Sequence, residues 1–414
     1  MAVFKPFKAI RPCSEHVKAV ASRPYDVLDT DEARVESSGN HLSFLHIVKP
    51  EIDLPKDTNP YSNEVYEKGK ENFNNLRSSG VFIQDDNASF YIYRLTMEGR
   101  SQIGLVGCCF FEEYFEGIIK KHELTRIAKE NDRVSHVECL NANAEPVFFS
   151  YRGKDSIDDL VSERIKTEPI YNFHADDGIQ HELWLVSSSE DISIVEEAFK
   201  SVPYLYVADG HHRTAAAARI GQKRKEENLN HTGLEEYNYF LAVLFPEDQL
   251  KIFDYNRVVK DLNGLSSQDF LNRLEEAFIV SKIEKSESQP RSIREFCLYM
   301  EGGWYRLLAK EGSWDTNDPV ADLDVTILSD QVLTPLLNIT DLRKDNRIDF
   351  VGGIRGLEEL EKRVDSGEMK AAFALYPVSM DQLLKIADAG EIMPPKTTWF
   401  EPKLRSGLFI HDLE

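Results

Sequence analysis

Cysteine is scarce and unpatterned in this chain: five residues in 414, at Cys13, Cys108, Cys109, Cys139 and Cys297, with no C-x-x-C pair. That argues against a disulfide-framed scaffold and against a zinc site, and Cys108 and Cys109 fall inside the apolar run 103–111. The expectation is reduced, mostly buried thiols in a cytoplasmic protein. Long hydrophobic runs are missing too. No stretch approaches 18 consecutive apolar residues, so no membrane span is expected. Residues 1–12 carry basic groups without the apolar run of a secretory signal. Positive charge is in the minority: 49 Lys and Arg stand against 71 Asp and Glu, a formal net charge of −22. That balance disfavours nucleic acid or an anionic membrane as a partner, while leaving room for a local basic pocket. Low-complexity tracts, heptads and internal repeats are also lacking.

What is present is ordinary for a folded protein with real cores: 42% hydrophobic and 29% charged residues. The length allows two or three domains. Helical patterns are expected at 65–76, 119–134, 325–337, 357–364 and 380–389, and strands at 147–151, 182–186, 205–208, 239–245, 251–259, 348–351 and 371–376. Strands 89–95 and 102–111 read as a hairpin with a longer loop at 98–100, and 296–300 with 304–309 as another hairpin. The fold class expected is mixed α/β to α+β. An N-terminal segment, 1–80, would pack on a core at 81–264. Gly264-Leu265-Ser266-Ser267 would then introduce a smaller C-terminal α+β domain at 265–414.

The most informative residues are Asp209-Gly210-His211-His212-Arg213. A strand running into Asp-Gly and then into the helix-forming run Thr214 to Arg219 leaves free backbone N–H groups at a helix start, where the dipole favours an anion. Gly210 permits a tight turn and close ligand approach. Arg213 offers a planar fork for phosphate oxygens, and His211 and His212 add donors. Asp209 suits Mg²⁺ bridging phosphates. The bland alternative makes Asp209 a simple N-cap and lets one histidine pack on the sheet.

A second candidate is His122-Glu123-Leu124-Thr125-Arg126. It is a near miss to H-E-x-x-H, with Arg126 where a second zinc ligand would stand, so a zinc protease is discounted. Glu123 is then either a general base or a helix N-terminal acid favoured by the dipole. Asp254-Tyr255-Asn256-Arg257 and the Lys396-Thr397-Thr398 turn, with Lys403 and Arg405, offer donors to a phosphate site or are solvated surface. Arg23-Pro24-Tyr25-Asp26 is a rigid turn by default and a substrate loop only by inference.

Taken together, RPYDV at 23–27, HELT at 122–125, DR at 132–133, VADGHHRTAA at 207–216, YNRVVKDLNG at 255–264 and PPKTTWFEPKLRSGL at 394–408 resemble the prokaryotic family called domain of unknown function ten-fifteen. The likeness runs essentially end to end. That family looks related to the ParB/sulfiredoxin-like superfamily, which implies a nucleotide-binding core with the strand–turn–helix at its centre. Free L-serine kinases of the superfamily have a similar order of parts. By that resemblance Glu123 matches the catalytic base. Asp209 and His211 join it in the catalytic set, and Asp209 also takes the metal. Gly210, His212, Arg213 and Thr214, with Asn256, Arg257 and Lys396, are assigned to nucleotide binding. ATP or ADP with Mg²⁺ is the implied cofactor.

The leading reading is a nucleotide-dependent small-molecule kinase that phosphorylates a hydroxyl of a serine-like metabolite. The alternative is a nucleotide-binding switch or adaptor without phosphoryl transfer. Neither reading involves nucleic acid or a membrane, and self-association into a homo-oligomer is left open. A sulfiredoxin-like thiol chemistry ranks last, because His211 stands where those enzymes carry cysteine.

Overall fold

The computed structural model describes residues 1–414, and the chain divides into two compact units: 1–250 with 402–414, and 251–401. The expected divisions after 80 and 264 do not coincide with these units. Residues 1–80 share the first unit. Gly264 lies inside the second, because the strand before it, Tyr255–Val259, is an inner strand of that unit's sheet. The last 13 residues return to the first unit. There Ile410 exchanges backbone hydrogen bonds with Ile10, and His411–Asp412 pairs with Ala142–Asn143.

The first unit is built on a nine-stranded mixed sheet. From one edge the order is Ile119–Lys120, Leu205–Asp209, Val147–Tyr151, Tyr239–Pro246, Arg100–Phe110, Phe90–Met97, Gln180–Val186 and Tyr171–His174, with Phe4–Lys5 added alongside Arg100–Phe110. Val147–Tyr151 is buried at every position, as expected for a strand covered on both faces. Its core includes Phe4, Phe149, Trp184, Phe199 and Val207, and a second cluster gathers Phe44, Phe73, Phe82, Leu140 and Ile410.

The first hairpin is tighter than the sequence suggested. Glu98 and Gly99 alone connect the strands, both at positive φ (51° and 79°), as a two-residue turn of primed type requires. Glu301 and Gly302 repeat the arrangement at 49° and 74° in the second unit. The segment 119–134 is not one helix. Ile119–Lys120 is a strand, and the helix is Ile127–Leu140.

The second unit carries a six-stranded antiparallel sheet, ordered Phe278–Ile283, Gly303–Ala309, Glu295–Met300, Ala371–Leu375, Tyr255–Val259, Ile348–Gly352. Leu357–Asp365 contributes Leu360 and Val364 to its core. The mixed α/β character is as expected, with a large sheet and a smaller sheet-rich unit. The expected helix at 325–337 is instead a short α-turn, Asp324–Leu328, running into π-helical Ser329–Leu333. No helix is long and apolar enough to cross a membrane.

Candidate functional site

Strand Leu205–Asp209 lies second from the edge of the large sheet and runs parallel to Ile119–Lys120, so both chains leave the same end of the sheet. The pairing with Val147–Tyr151 slips between Val207 and Asp209, a bulge of the kind that re-aims a side chain. Gly210 follows in the left-handed region (φ 88°, ψ 36°), and helix His211–Glu227 begins with no side chain capping it. Asp209 is therefore not the N-cap, and the first-turn N–H groups are those of an uncapped 17-residue helix.

Asp209 lies 3.5 Å from Lys403 and 3.4 Å from Arg213. Burial works to raise its carboxyl. Lys403, Arg213 and the Gly210 N–H outweigh that and hold it below the usual carboxylate range, so it stays ionised. Arg213 is not the open fork expected from the sequence. It is 8% exposed, donates from Nη1 to the Pro146 carbonyl at 2.7 Å, and reaches Asp26 at 3.6 Å. Its charge is spent on holding carboxylates, and Asp26, Glu145 and Asp209 keep it protonated against burial. Thr214 is fully buried, and its hydroxyl donates back to the Gly210 carbonyl at 3.0 Å.

Burial favours the neutral form of both histidines of the turn. Burial drives His211 far below its ordinary value, with His122, His212 and Lys121 adding repulsion, and burial lowers His212 as well. The rings of His122 and His211 meet edge to face at 4.6 Å, and burial pushes His122 down to about 4. His211 Nε2 is buried without a hydrogen-bond partner. His212 Nε2 accepts the Arg126 N–H at 3.0 Å.

These contacts settle where the HELT segment sits. His122 touches His211 and Arg126 touches His212, so Glu123 belongs to a loop pinned at both ends against the helix start. The helices behind are tied as well, Arg219 bonding Glu130 at 2.7 Å and Asn131 at 2.9 Å. The long stretch between the two motifs folds away as residues 147–203 of the sheet and its helices.

A chain of buried charges extends behind the turn. Glu145 accepts from the Tyr25 N–H at 3.2 Å and the Ser406 hydroxyl at 2.9 Å, and lies 3.7 Å from Arg133. Arg133 pairs with Asp132, which also accepts from the Tyr66 hydroxyl, and Arg133 covers the Tyr25 ring at 3.9 Å. A cavity of about 20 Å³, room for roughly one water, is lined by Arg133, Glu145 and Arg213. Sequence reasoning missed Glu145 altogether and took Arg23-Pro24-Tyr25-Asp26 for a turn. The only signal for Glu145 was an isolated acid beside apolar strand residues, while the 23–26 turn was marked by the RPYDV motif alone.

Asn256, Arg257 and Lys396 lie in the second unit. Asn256 is spent within it, bonding Asp254 at 2.6 Å and the Leu375 N–H at 2.9 Å. Arg257 is fully buried and donates to the carbonyls of Tyr255 and Pro395 with no carboxylate partner, so burial lowers its pKa. Lys396 is exposed, 5.6 Å from the Tyr255 ring centroid. No group of three or more His, Cys, Asp or Glu is placed to hold a metal ion.

No curated protein matches the chain. Among solved structures it is similar to a free serine kinase in complex with AMP (13% identity, TM-score 0.37, 75% of this chain and 91% of that one). It is also similar to a conserved hypothetical protein from Pyrococcus furiosus (14%, 0.35, 74% and 94%). A third is SbnI with C-terminal truncation from Staphylococcus aureus (10%, 0.39, 74% and 87%). The family model described as protein of unknown function (DUF1015) matches residues 4–326, and the chain belongs to that family.

Proposed function

We propose that the first unit is a ParB/sulfiredoxin-like core that binds the phosphates of ATP or ADP at the start of helix His211–Glu227 and transfers a phosphoryl group to a small hydroxylated metabolite of serine-like size. The observation that carries this reading is the pinned loop. An uncapped helix start, an ionised Asp209 beside Lys403 and a loop bearing Glu123 converge at one end of one sheet. The helix N–H groups and Lys403 would meet phosphate oxygens. Asp209 is the single carboxylate the turn offers to Mg²⁺, which commonly binds through one or two carboxylates plus substrate phosphates, and there it would neutralise charge on the transferred group.

Glu123 would accept the proton of the acceptor hydroxyl as its oxygen bonds to the terminal phosphorus and the bridging oxygen leaves with ADP or AMP. His122 and His211, neutral and packed together, exclude water and set the distance between the Glu123 loop and the helix start. Arg213 acts by positioning Asp209 and Asp26. Asn256 and Arg257 are committed to partners inside the second unit, so the proposed phosphate site is drawn from the first unit alone. The net charge of −22 speaks against nucleic acid as a partner. A cytoplasmic setting, with homo-oligomerisation open, completes the reading.

The test is calorimetry with ATP and ADP, with and without Mg²⁺, followed by an acceptor screen. Glu123→Gln is expected to abolish transfer while nucleotide binding persists. Asp209→Asn is expected to weaken Mg²⁺-dependent binding. No nucleotide binding to the folded wild type would end both the kinase reading and the switch reading. Binding without transfer to any hydroxylated metabolite would favour the switch.

A further inference from the structure

A larger opening in the first unit plays no part in that reading. It is a cavity of about 360 Å³ whose charged lining comprises Lys18, Arg23, Glu36, Asp176, Asp177 and Arg405. Arg405 is its fixed point. The side chain is 6% exposed. Its Nε donates to His181 Nε2 at 3.2 Å, which leaves the ring proton on Nδ1 to donate to the Tyr93 oxygen at 2.8 Å. Tyr93 and His181 are fully buried. The guanidinium is thus locked from behind by a neutral ring. One Nη meets Asp177, and the other makes no hydrogen bond within the protein.

The rest of the wall consists of charges in exchangeable pairs. Arg23 bonds Glu36, and Lys18 lies 3.3 Å from Asp176. Pairs this exposed are worth about 0–1 kcal/mol each, so a ligand group can replace either partner at small cost. Three cations face three carboxylates, a balance that disfavours a polyphosphate. No aromatic side chain lines the cavity, so a nucleobase has nothing to stack on.

We propose that this cavity binds a small zwitterion, its carboxylate on the Arg405 fork and its ammonium group among Asp177, Asp176 and Glu36. A planar guanidinium with one unengaged Nη beside the Nη that meets Asp177 suits a carboxylate, and the acids opposite select the second charge. The site is separate from the Asp209 turn and stands whether or not the chain transfers phosphate.

Thermal shift and calorimetry on the full chain provide the test. The probes are glycine, β-alanine and γ-aminobutyrate, with acetate and methylammonium as one-ended controls and inorganic phosphate as a competitor class. At least one zwitterion should bind and raise Tm, with each one-ended control at least about tenfold weaker. Arg405→Lys, which cannot reproduce the fork, should weaken binding by about tenfold. Should that buried variant fail to fold, Arg23→Gln and Glu36→Gln on the open wall should each weaken binding severalfold with the unliganded Tm unchanged. The proposal is overturned if no zwitterion binds the folded wild type, if phosphate binds in preference to all three, or if binding ignores the substitutions that fold.

Discussion

Replacing Gly210 by alanine tests how the turn is held. The residue sits at φ 88°, where an L side chain costs roughly 1–2 kcal/mol, partly offset by about 0.4–1 kcal/mol from the stiffer unfolded chain. A second cost is specific to this place. A Cβ on Gly210 would meet Arg213 at Nε (3.1 Å), Cζ (3.2 Å) and Nη2 (3.3 Å). The guanidinium cannot retreat freely, because it donates to Pro146 at 2.7 Å and lies between Asp26 and Asp209. Degrading one charge-assisted hydrogen bond adds about 1.5–3 kcal/mol.

The net expectation is a loss of about 2–4 kcal/mol. Gly39 supplies the control in the same unit. It has φ 75° and nothing within 4 Å of a built Cβ, so Gly39→Ala feels the backbone term alone. Urea denaturation of both variants, following the first unit's transition at unchanged m, isolates the difference. Gly210→Ala should be the less stable by at least about 1.5 kcal/mol. Equal losses, within about 0.5 kcal/mol, would refute the claim that Arg213 is immobilised.

Buried histidines set an acid limit. His122 and His136 are held near 4 by burial against about 6.5 when unfolded, so the unfolded chain binds more protons below that value. Stability is then complete above about pH 6.5 and falls as pH drops toward 4, by up to about 3 kcal/mol per histidine. His122→Asn should lower the slope of stability against pH in this window by about one proton, and an unchanged slope would sink the assignment.

Glu113 runs the other way. Burial raises it to about 8, so its contribution is complete below about pH 4.5 and is lost as pH rises toward 8. Glu113→Gln should gain stability relative to wild type above pH 8, measurable by the same titration. Arg257→Met removes a buried cation that lacks a carboxylate partner. The second unit should keep its stability while hydrogen exchange quickens at residues 393–398, whose Pro395 carbonyl the arginine holds. Fast loss of protection throughout the Tyr255–Val259 strand would instead mark a core role.

The turn was legible because its signals are local. A strand, a glycine able to take positive φ and a run of alanines each declare themselves within ten residues, and the structure has strand, left-handed Gly210 and helix in that order. The tight hairpins were half legible. Glu98-Gly99 and Glu301-Gly302 marked the turns, but the two-residue length depends on strand register, which the flanking polar residues blurred. The helix placed at 119–134 failed for a nonlocal reason: Ile119–Lys120 is drawn into strand pairing by Leu205–Asp209, far away in sequence.

The fate of Arg213 shows most clearly what local chemistry leaves open. An arginine in the first turn of a helix reads as a phosphate fork, and its residue type cannot distinguish a ligand from a buried carboxylate as the partner. The decision rests with Asp26 and with the adjacent Glu145 and Pro146, which reach it from two distant segments. Asp26 comes from a turn that sequence chemistry read as rigid by default and as a substrate loop only by inference, and Glu145 from a segment with no pattern at all. The carboxyl-terminal return of 402–414 has the same character, since Lys403 and Ser406 join the network only because Ile10, Ser22 and Asn143 offer backbone or side-chain partners. Motifs named the atoms that carry charge, and long-range pairing decides which of those charges face a ligand. On that ground the ligand-facing set proposed here shifts from Arg213 to Asp209, Lys403 and the helix N–H groups.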